Sequence, residues 1–219
     1  LPADHVIEDV AMFQNMILKG ADVASNGSLV TFGAKAYKPH TGYGYIKSGE
    51  TIDSYFKVDS FTEKPSLKEA QSYVNSGNYY WNCGIFLFKA DTYLEELKTF
   101  RPEISDAAYK TYKKLDKKDS FLWVDKNPFA LCPAESIDYA VMENTNQSVV
   151  MPLDVGWGDI GSFNSLYDLS EKDSNQNVID GDVLSLKSKN NLVLSNQKLT
   201  AVYGVENLII IDTKDSLLV

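Results

Sequence analysis

Apolar residues recur at Val10, Phe13, Ile17 and Ala21, with Met16 widening the face, and this spacing predicts an amphipathic helix from Glu8 to Val23 that covers a sheet. Asn26-Gly27 ends the helix, and Ser28 to Ala34 reads as a buried strand. With Leu1 to Asp4 as the end of an earlier strand, the opening forms a strand-helix-strand unit of the α/β kind. Tyr55 to Glu63 is the next strand, predicted to pair with Tyr43 to Lys47 across Ser48-Gly49-Glu50. Pro65 stops it, and Ser66-Leu67-Lys68-Glu69 carries the capping-box pattern of a helix running to about Ser76. A strongly apolar strand from Cys83 to Lys89 follows. Asp91 is placed to cap a helix through Leu97 and Phe100, and Pro102 opens another toward Leu115. Ser136 to Glu143 reads as a short helix with Ile137, Ala140 and Val141 inward, and Val149 to Met151 as a strand.

The polar run from Lys172 to Asn177 is the best boundary in the chain, dividing it into residues 1–172 and 173–219. Beyond it helical periodicity disappears. Short strands at Val183 to Leu186, Leu192 to Leu194, Leu199 to Tyr203, Leu208 to Ile211 and Leu217 to Val219 alternate with turns. They predict a small β domain or the start of a β-solenoid.

Composition narrows the function. With 44% hydrophobic residues in 219, the chain can bury a sizeable core, and no apolar run is long enough to cross a bilayer. The expectation is a cytoplasmic protein without a membrane partner. A net charge of -9 argues against nucleic acid, so Lys110, Lys113, Lys114, Lys117 and Lys118 read as a solvated helix face. Cys83 and Cys132 have neither metal-ligand spacing nor a disulfide framework, and two histidines are too few for a histidine metal site. A phosphorylated substrate would need local positive charge or a metal ion, and Mg²⁺ is the candidate.

Three stretches place polar groups where they can do chemistry. In Phe61-Thr62-Glu63-Lys64-Pro65, Glu63 can accept from adjacent sugar hydroxyls and Lys64 can neutralise a phosphate oxygen. In Trp81-Asn82-Cys83-Gly84-Ile85-Phe86, Asn82 offers a donor and an acceptor. The plainer alternative makes Glu63 and Lys64 a solvated pair and Asn82 a turn residue. Gly44, between aromatic residues, suggests a bulge or the close approach of a ligand, the bulge being the simpler. In Gly156-Trp157-Gly158-Asp159-Ile160-Gly161-Ser162, three glycines bring Asp159 into a cleft or leave it capping the helix that follows.

Taken in order, Pro2-Ala3-Asp4-His5, Thr41-Gly42-Tyr43-Gly44-Tyr45-Ile46, the two motifs around Glu63 and Asn82, Ser136-Ile137-Asp138-Tyr139 and the stretch around Asp159 resemble the motifs of bacterial mannose-1-phosphate guanylyltransferases. The resemblance extends to Leu208-Ile209-Ile210-Ile211-Asp212-Thr213. It implies a Rossmann-like mixed sheet flanked by helices, followed by a β domain that begins a β-helix. It also implies transfer of a guanylyl group from GTP to mannose 1-phosphate, giving GDP-mannose. Asp4 and Asp159 would hold the catalytic Mg²⁺, Glu63 and Asn82 would bind mannose hydroxyls, Lys64 would contact the sugar phosphate and Gly44 would lie against the sugar nucleotide. Two carboxylates suit a hard cation that bridges phosphate oxygens, and an ionised sugar phosphate needs no general base.

The glycine-rich, Arg- and Lys-containing nucleotide loop of that family is not among these residues, nor is the isomerase domain of some longer relatives. The expectation is therefore that residues 1–219 alone have little guanylyltransferase activity and self-associate, with a homo-oligomer formed partly through the tail. Two other readings stay open at this point. One is a nucleotidyltransferase for another sugar 1-phosphate, and the other is a non-catalytic regulatory or assembly subunit.

Overall fold

The computed structural model describes residues 1–118 and 120–219. Its chain contacts form two compact units, one of Leu1–Ala3 with Ile7–Trp157, the other of Asp4–Val6 with Gly158–Val219. No helix among the described residues is long and apolar enough to cross a membrane.

The chain opens with β1 (His5–Ile7) and α1 (Val10–Ser25), whose first turn is closed by the Asp9 side chain accepting from Met12 N at 2.8 Å. The buried stripe of α1 runs through Gly20 and Ala24, flanked by Phe13, Met16, Ile17 and Val23. Val10 and Ala21, expected inward, are exposed. The reason is closeness: a Cβ on Gly20 would stand 3.0 Å from the Phe32 ring, so the smallest residues mark where helix and sheet touch.

The sheet of the first unit is built from β2 (Leu29–Lys35), β3 (Tyr45–Ile52), β4 (Tyr55–Thr62), β5 (Tyr79–Leu87) and β8 (Ser148–Pro152). In the order β2-β5-β3-β4-β8 these strands close on themselves as a barrel. It is mixed, with β2 parallel to β8 and the other neighbours antiparallel. Every residue of β2 from Leu29 to Ala34 is buried, because alternate side chains enter different core clusters, Phe32 with Trp81 and Met151, and Leu29 with Ile46 and Val141. The β3–β4 turn falls at Asp53-Ser54, leaving Ser48-Gly49-Glu50 inside β3. Register shifts there accommodate a glycine that the sequence pattern reads as a turn.

Between β4 and β5 lies α2 (Leu67–Ser76), with the capping box complete: Ser66 N donates to Glu69 Oε2 at 2.9 Å and Glu69 N to Ser66 Oγ at 3.4 Å. After β5 come α3 (Ala90–Phe100) and α4 (Pro102–Tyr112). Two short pieces that no periodicity announced follow, an antiparallel pair of β6 (Asp116–Lys118) and β7 (Phe121–Trp123), and α5 (Lys126–Ala130). Asp138–Met142 then forms a π-helical turn.

Past β9 (Trp157–Asp159), which pairs with β1, the second unit contains α6 (Phe163–Leu169) and a four-stranded sheet. In that sheet β10 (Val178–Leu186), β11 (Leu192–Tyr203) and β12 (Ile209–Asp212) are parallel, and β13 (Leu217–Leu218) closes it antiparallel. Stacked rungs in register, Val178 on Leu192 on Ile209, are the start of the expected β-helix. Its corners are held by buried asparagines. Asn191 Nδ2 donates to Asn177 Oδ1 at 2.9 Å and to Val205 O at 3.1 Å, while Asn191 Oδ1 accepts from Leu208 N at 3.0 Å. Sequence reading takes Asn190-Asn191 only as a turn. Asn191→Ala strands these buried groups, so it is expected to cost the tail about 2–4 kcal/mol. Faster amide exchange confined to residues 178–212 is the measurement that checks it.

Candidate active site

Four of the residues singled out from the sequence converge in the first unit. Glu63 follows directly on β4, Asn82 sits within β5, and Gly44 immediately precedes β3, which pairs with both strands. Gly44 O accepts from Asn82 N at 2.8 Å, and a Cβ on Gly44 would collide with Glu63 Oε2 and lie 3.1 Å from Asn82 Cβ. Gly44 is thus a point where the protein's own side chains crowd the backbone rather than a bulge: no side chain fits between it and the two polar groups. The segment leading to it is held by His40, whose N–H donates to the Tyr45 hydroxyl at 2.8 Å and whose ring stacks on Tyr43 at 3.8 Å.

Asn82 is not a turn residue. Its Oδ1 accepts from Gly84 N at 3.0 Å and lies 3.5 Å from Thr31 Oγ1, and its Nδ2 donates to Asp138 Oδ1 at 2.9 Å. Nor are Glu63 and Lys64 a solvated pair. The Glu63 side chain is only 13% exposed, its backbone N–H donates to Glu143 Oε1 at 3.1 Å, and its Oε1 lies 3.6 Å from Lys64 Nζ. Burial first, and the Asp138 carboxylate second, push the Glu63 carboxyl above the ordinary carboxylate range, against the pull of Lys64. Lys64 itself takes a left-handed φ of 48° directly before Pro65. For a side-chain-bearing residue that conformation costs about 1–3 kcal/mol. It is fixed from both sides, by the end of β4 and by the Ser66 capping box, and it leaves the ammonium exposed.

Asp138, Glu143 and Thr31 complete this cluster without having been assigned any role from the sequence. Asp138 did stand inside a quoted motif, and the signal available was a carboxylate in a short segment flanked by inward apolar residues.

Asp4 and Asp159 fall in the second unit. Asp4 is exposed and immediately precedes β1, and Asp159 is the half-buried last residue of β9, the strand that pairs with β1. Ser162 caps α6, its Oγ accepting from Ser165 N at 3.1 Å, and Asp159 is not used for that purpose. Asp159 Oδ1 lies 3.8 Å from His5 Nε2, and a Cβ on Gly161 would come within 3.3 Å of Asp159 Oδ1, so Gly161 keeps that oxygen uncrowded. A donor set of two carboxylates fits a hard divalent ion that takes its remaining ligands from water and phosphate. Among the described residues no group of three or more Asp, Glu, His or Cys gathers into a self-sufficient metal cage.

Two outcomes follow from the cluster in the first unit. Gly44→Ala should displace the Glu63 carboxylate and abolish any ligand binding that uses it, read by calorimetric titration. Because the folded state holds the Glu63 proton more tightly than the unfolded chain, stability from this group is full below the unfolded value of about 4.3 and is lost as pH rises through the raised folded value. Glu63→Gln should remove that loss, so the fall in unfolding free energy as pH rises above the unfolded value of about 4.3 shrinks in urea titrations.

Residues 1–176 match the family model described as Nucleotidyl transferase, and residues 181–219 match that of the MannoseP isomerase/GMP-like beta-helix domain. Xanthan biosynthesis protein XanB of Xanthomonas campestris pv. campestris (strain B100) is 48% identical over 219 residues, 100% of this chain and 46% of that protein. Mannose-1-phosphate guanylyltransferase of Escherichia coli (strain K12) is 46% identical over 224 residues, 100% of this chain and 47% of that protein. A solved structure described as mannose-1-phosphate geranyltransferase from Thermus thermophilus matches with a TM-score of 0.89 at 28% identity, covering 100% of this chain and 63% of that one. The chain spans about half the length of the curated relatives it matches. The resemblance read from the ordered motifs is thus borne out, and the chain belongs to the nucleotidyl transferase family.

Proposed function

We propose that the protein transfers a guanylyl group from GTP to mannose 1-phosphate, giving GDP-mannose and pyrophosphate. The observation that carries this reading is the packing of Gly44 against Glu63 and Asn82 beside an exposed lysine, in a chain whose relatives bear the name of that activity. An acceptor and a donor fixed side by side suit the hydroxyls of a sugar, and a lysine held with its ammonium in solvent suits the phosphate attached to it.

In the reaction a phosphate oxygen of mannose 1-phosphate forms a bond to the α-phosphorus of GTP. The bond from that phosphorus to the bridging oxygen breaks, and the electron pair leaves with pyrophosphate. The attacking oxygen is already ionised, so no side chain has to remove a proton. What the chain contributes is alignment and charge. Glu63 and Asn82 would hold the sugar by its hydroxyls, the backbone at Gly44 would pack against it, and Lys64 would neutralise the phosphate of the nucleophile. Asp4 and Asp159 are the residues that would hold Mg²⁺. A divalent ion held there would supply positive charge to offset the negative charge of the reacting phosphates.

The test is pyrophosphate release by the full-length protein across a panel of nucleoside triphosphates and sugar 1-phosphates. GTP with mannose 1-phosphate is the pair expected to turn over, and robust release from a different pair alone would replace the substrate assignment. Asp4→Asn and Asp159→Asn should each lower kcat on the order of a hundredfold with the fold unchanged, whereas Glu63→Gln should act mainly on the KM for the sugar phosphate. Self-association belongs to the same reading, supported by exposed Leu184 and Leu186 on β10, an edge strand of the tail sheet. Sedimentation velocity is expected to show a homo-oligomer, and a monomer at all concentrations would remove that part.

A further inference from the structure

The turn that carries Asp138 does not close as an α-helix. Glu143 N donates to Asp138 O at 2.9 Å, a bond spanning five residues, and Asp138–Met142 forms one π-helical turn. At 3.6 residues per turn, side chains five apart on an α-helix diverge by about 140°. The wider turn brings them to the same side. Both ends of the segment therefore reach the cluster described above: Asp138 Oδ1 accepts from Asn82 Nδ2 at 2.9 Å, and Glu143 Oε1 accepts from Glu63 N at 3.1 Å.

This geometry is fastened at both ends to α3. Arg101, which caps α3, donates from Nε and Nη2 to the two oxygens of Glu135 at 2.7 Å each, fixing the chain just before the turn. Glu96, within α3, accepts from the Thr145 hydroxyl and from Gln147 Nε2 at 2.9 Å, fixing the chain just after it. Ala140, Val141 and Met142 are buried beneath. An arrangement anchored before, after and below leaves the π turn little freedom to relax.

We propose that Asp138 is a positioning residue that sets the orientation, and thereby the selectivity, of Asn82, an inference that rests on the reading of this cluster as the sugar site. A carboxylate can only accept and the Gly84 N–H can only donate, so together they fix which way the amide points: Nδ2 toward Asp138, Oδ1 toward Gly84 and Thr31. The amide oxygen is thereby spent. One N–H remains for a ligand, so Asn82 presents a donor and no acceptor, beside a Glu63 carboxylate that accepts when ionised. The ligand group matched to that pair is a hydroxyl, which accepts from Asn82 and donates to Glu63. Without Asp138 the Nδ2 side loses its fixed acceptor, the amide is held on its oxygen side alone, and the remaining N–H is no longer aimed in one direction.

The experiment uses the full-length protein, labelled with ¹⁵N, in wild-type and Asp138→Ala, Asp138→Asn and Asn82→Ala forms. The Asn82 side-chain amide signals, identified by their absence in Asn82→Ala, should move in Asp138→Ala and lie closer to their wild-type position in Asp138→Asn, which keeps a carbonyl acceptor. In turnover, Asp138→Ala should raise the KM for mannose 1-phosphate about tenfold, with kcat and the KM for GTP within about threefold, and Asp138→Asn should recover most of it. In an Asn82→Ala background, Asp138→Ala should add less than about twofold, since the two act as one unit. Should Asp138→Ala fail to fold, Asp138→Ser, whose hydroxyl is too short to reach Nδ2, takes its place. Unmoved Asn82 signals, fully additive losses, or equal changes in both KM values would overturn the proposal. A wild-type protein that does not turn over this substrate pair would defeat the functional reading alone, because the amide signals still decide what Asp138 does.

Discussion

The side-chain amide of Asn82 is the joint on which the cluster in the first unit depends. Within β5 it accepts from Gly84 N two residues on, it stands at the edge of hydrogen-bond reach from Thr31 on β2, and it donates to Asp138 on the π turn. In so little solvent an amide with a missing partner would cost about 1–3 kcal/mol, so each partner constrains the others. Gly44 adds the steric half of the constraint. Its backbone carbonyl accepts from Asn82 N, and the space a Cβ would occupy is filled by the Glu63 carboxylate and by Asn82 itself. The result is a pair of polar groups packed against a position that only glycine can occupy.

Charge is handled by enclosure on one side and exposure on the other. Glu63 is held among carboxylates, with burial and Asp138 raising its proton affinity, while Lys64 is turned out by a left-handed backbone conformation that costs free energy. That cost persists because β4 fixes the chain on one side and the Ser66–Glu69 capping box fixes it on the other. The pair therefore differs from a surface ion pair. Its two members have separate environments, Glu63 largely buried and Lys64 with its ammonium in solvent.

The tail solves a different problem with related chemistry. Parallel rungs leave polar backbone groups at each corner, and the stacked Asn177 and Asn191 satisfy them from inside. A buried asparagine is tolerated there only because every group it offers is matched, which also locks the register of Val178, Leu192 and Ile209.

Local signals in the chain determined most of the elements. Helical spacing, the Ser66 capping box, Pro102 at a helix start and the loss of helical periodicity after residue 177 are effects of neighbouring residues, and α1, α2, α4 and a β-rich tail appear where those effects put them. Within that tail, however, Leu192 to Leu194 and Leu199 to Tyr203, read as two strands, are one continuous β11, and β10 starts earlier, at Val178. The motifs around Glu63, Asn82 and Asp159 were legible for the same reason, since each sets a polar residue in apolar surroundings. Tertiary structure decided the rest. Which face of α1 is buried depends on how closely Gly20 meets Phe32, and whether Gly44 is a bulge or a contact depends on Glu63, nineteen residues further along the chain. Asp138 shows the limit most clearly. Its partner Asn82 is 56 residues away, and its direction is set by a π turn clamped to α3 through Arg101–Glu135 and Glu96–Thr145. A widened turn leaves no mark in a 3.6-residue period, because it is stabilised by contacts distant in sequence and not by the propensities of its own residues.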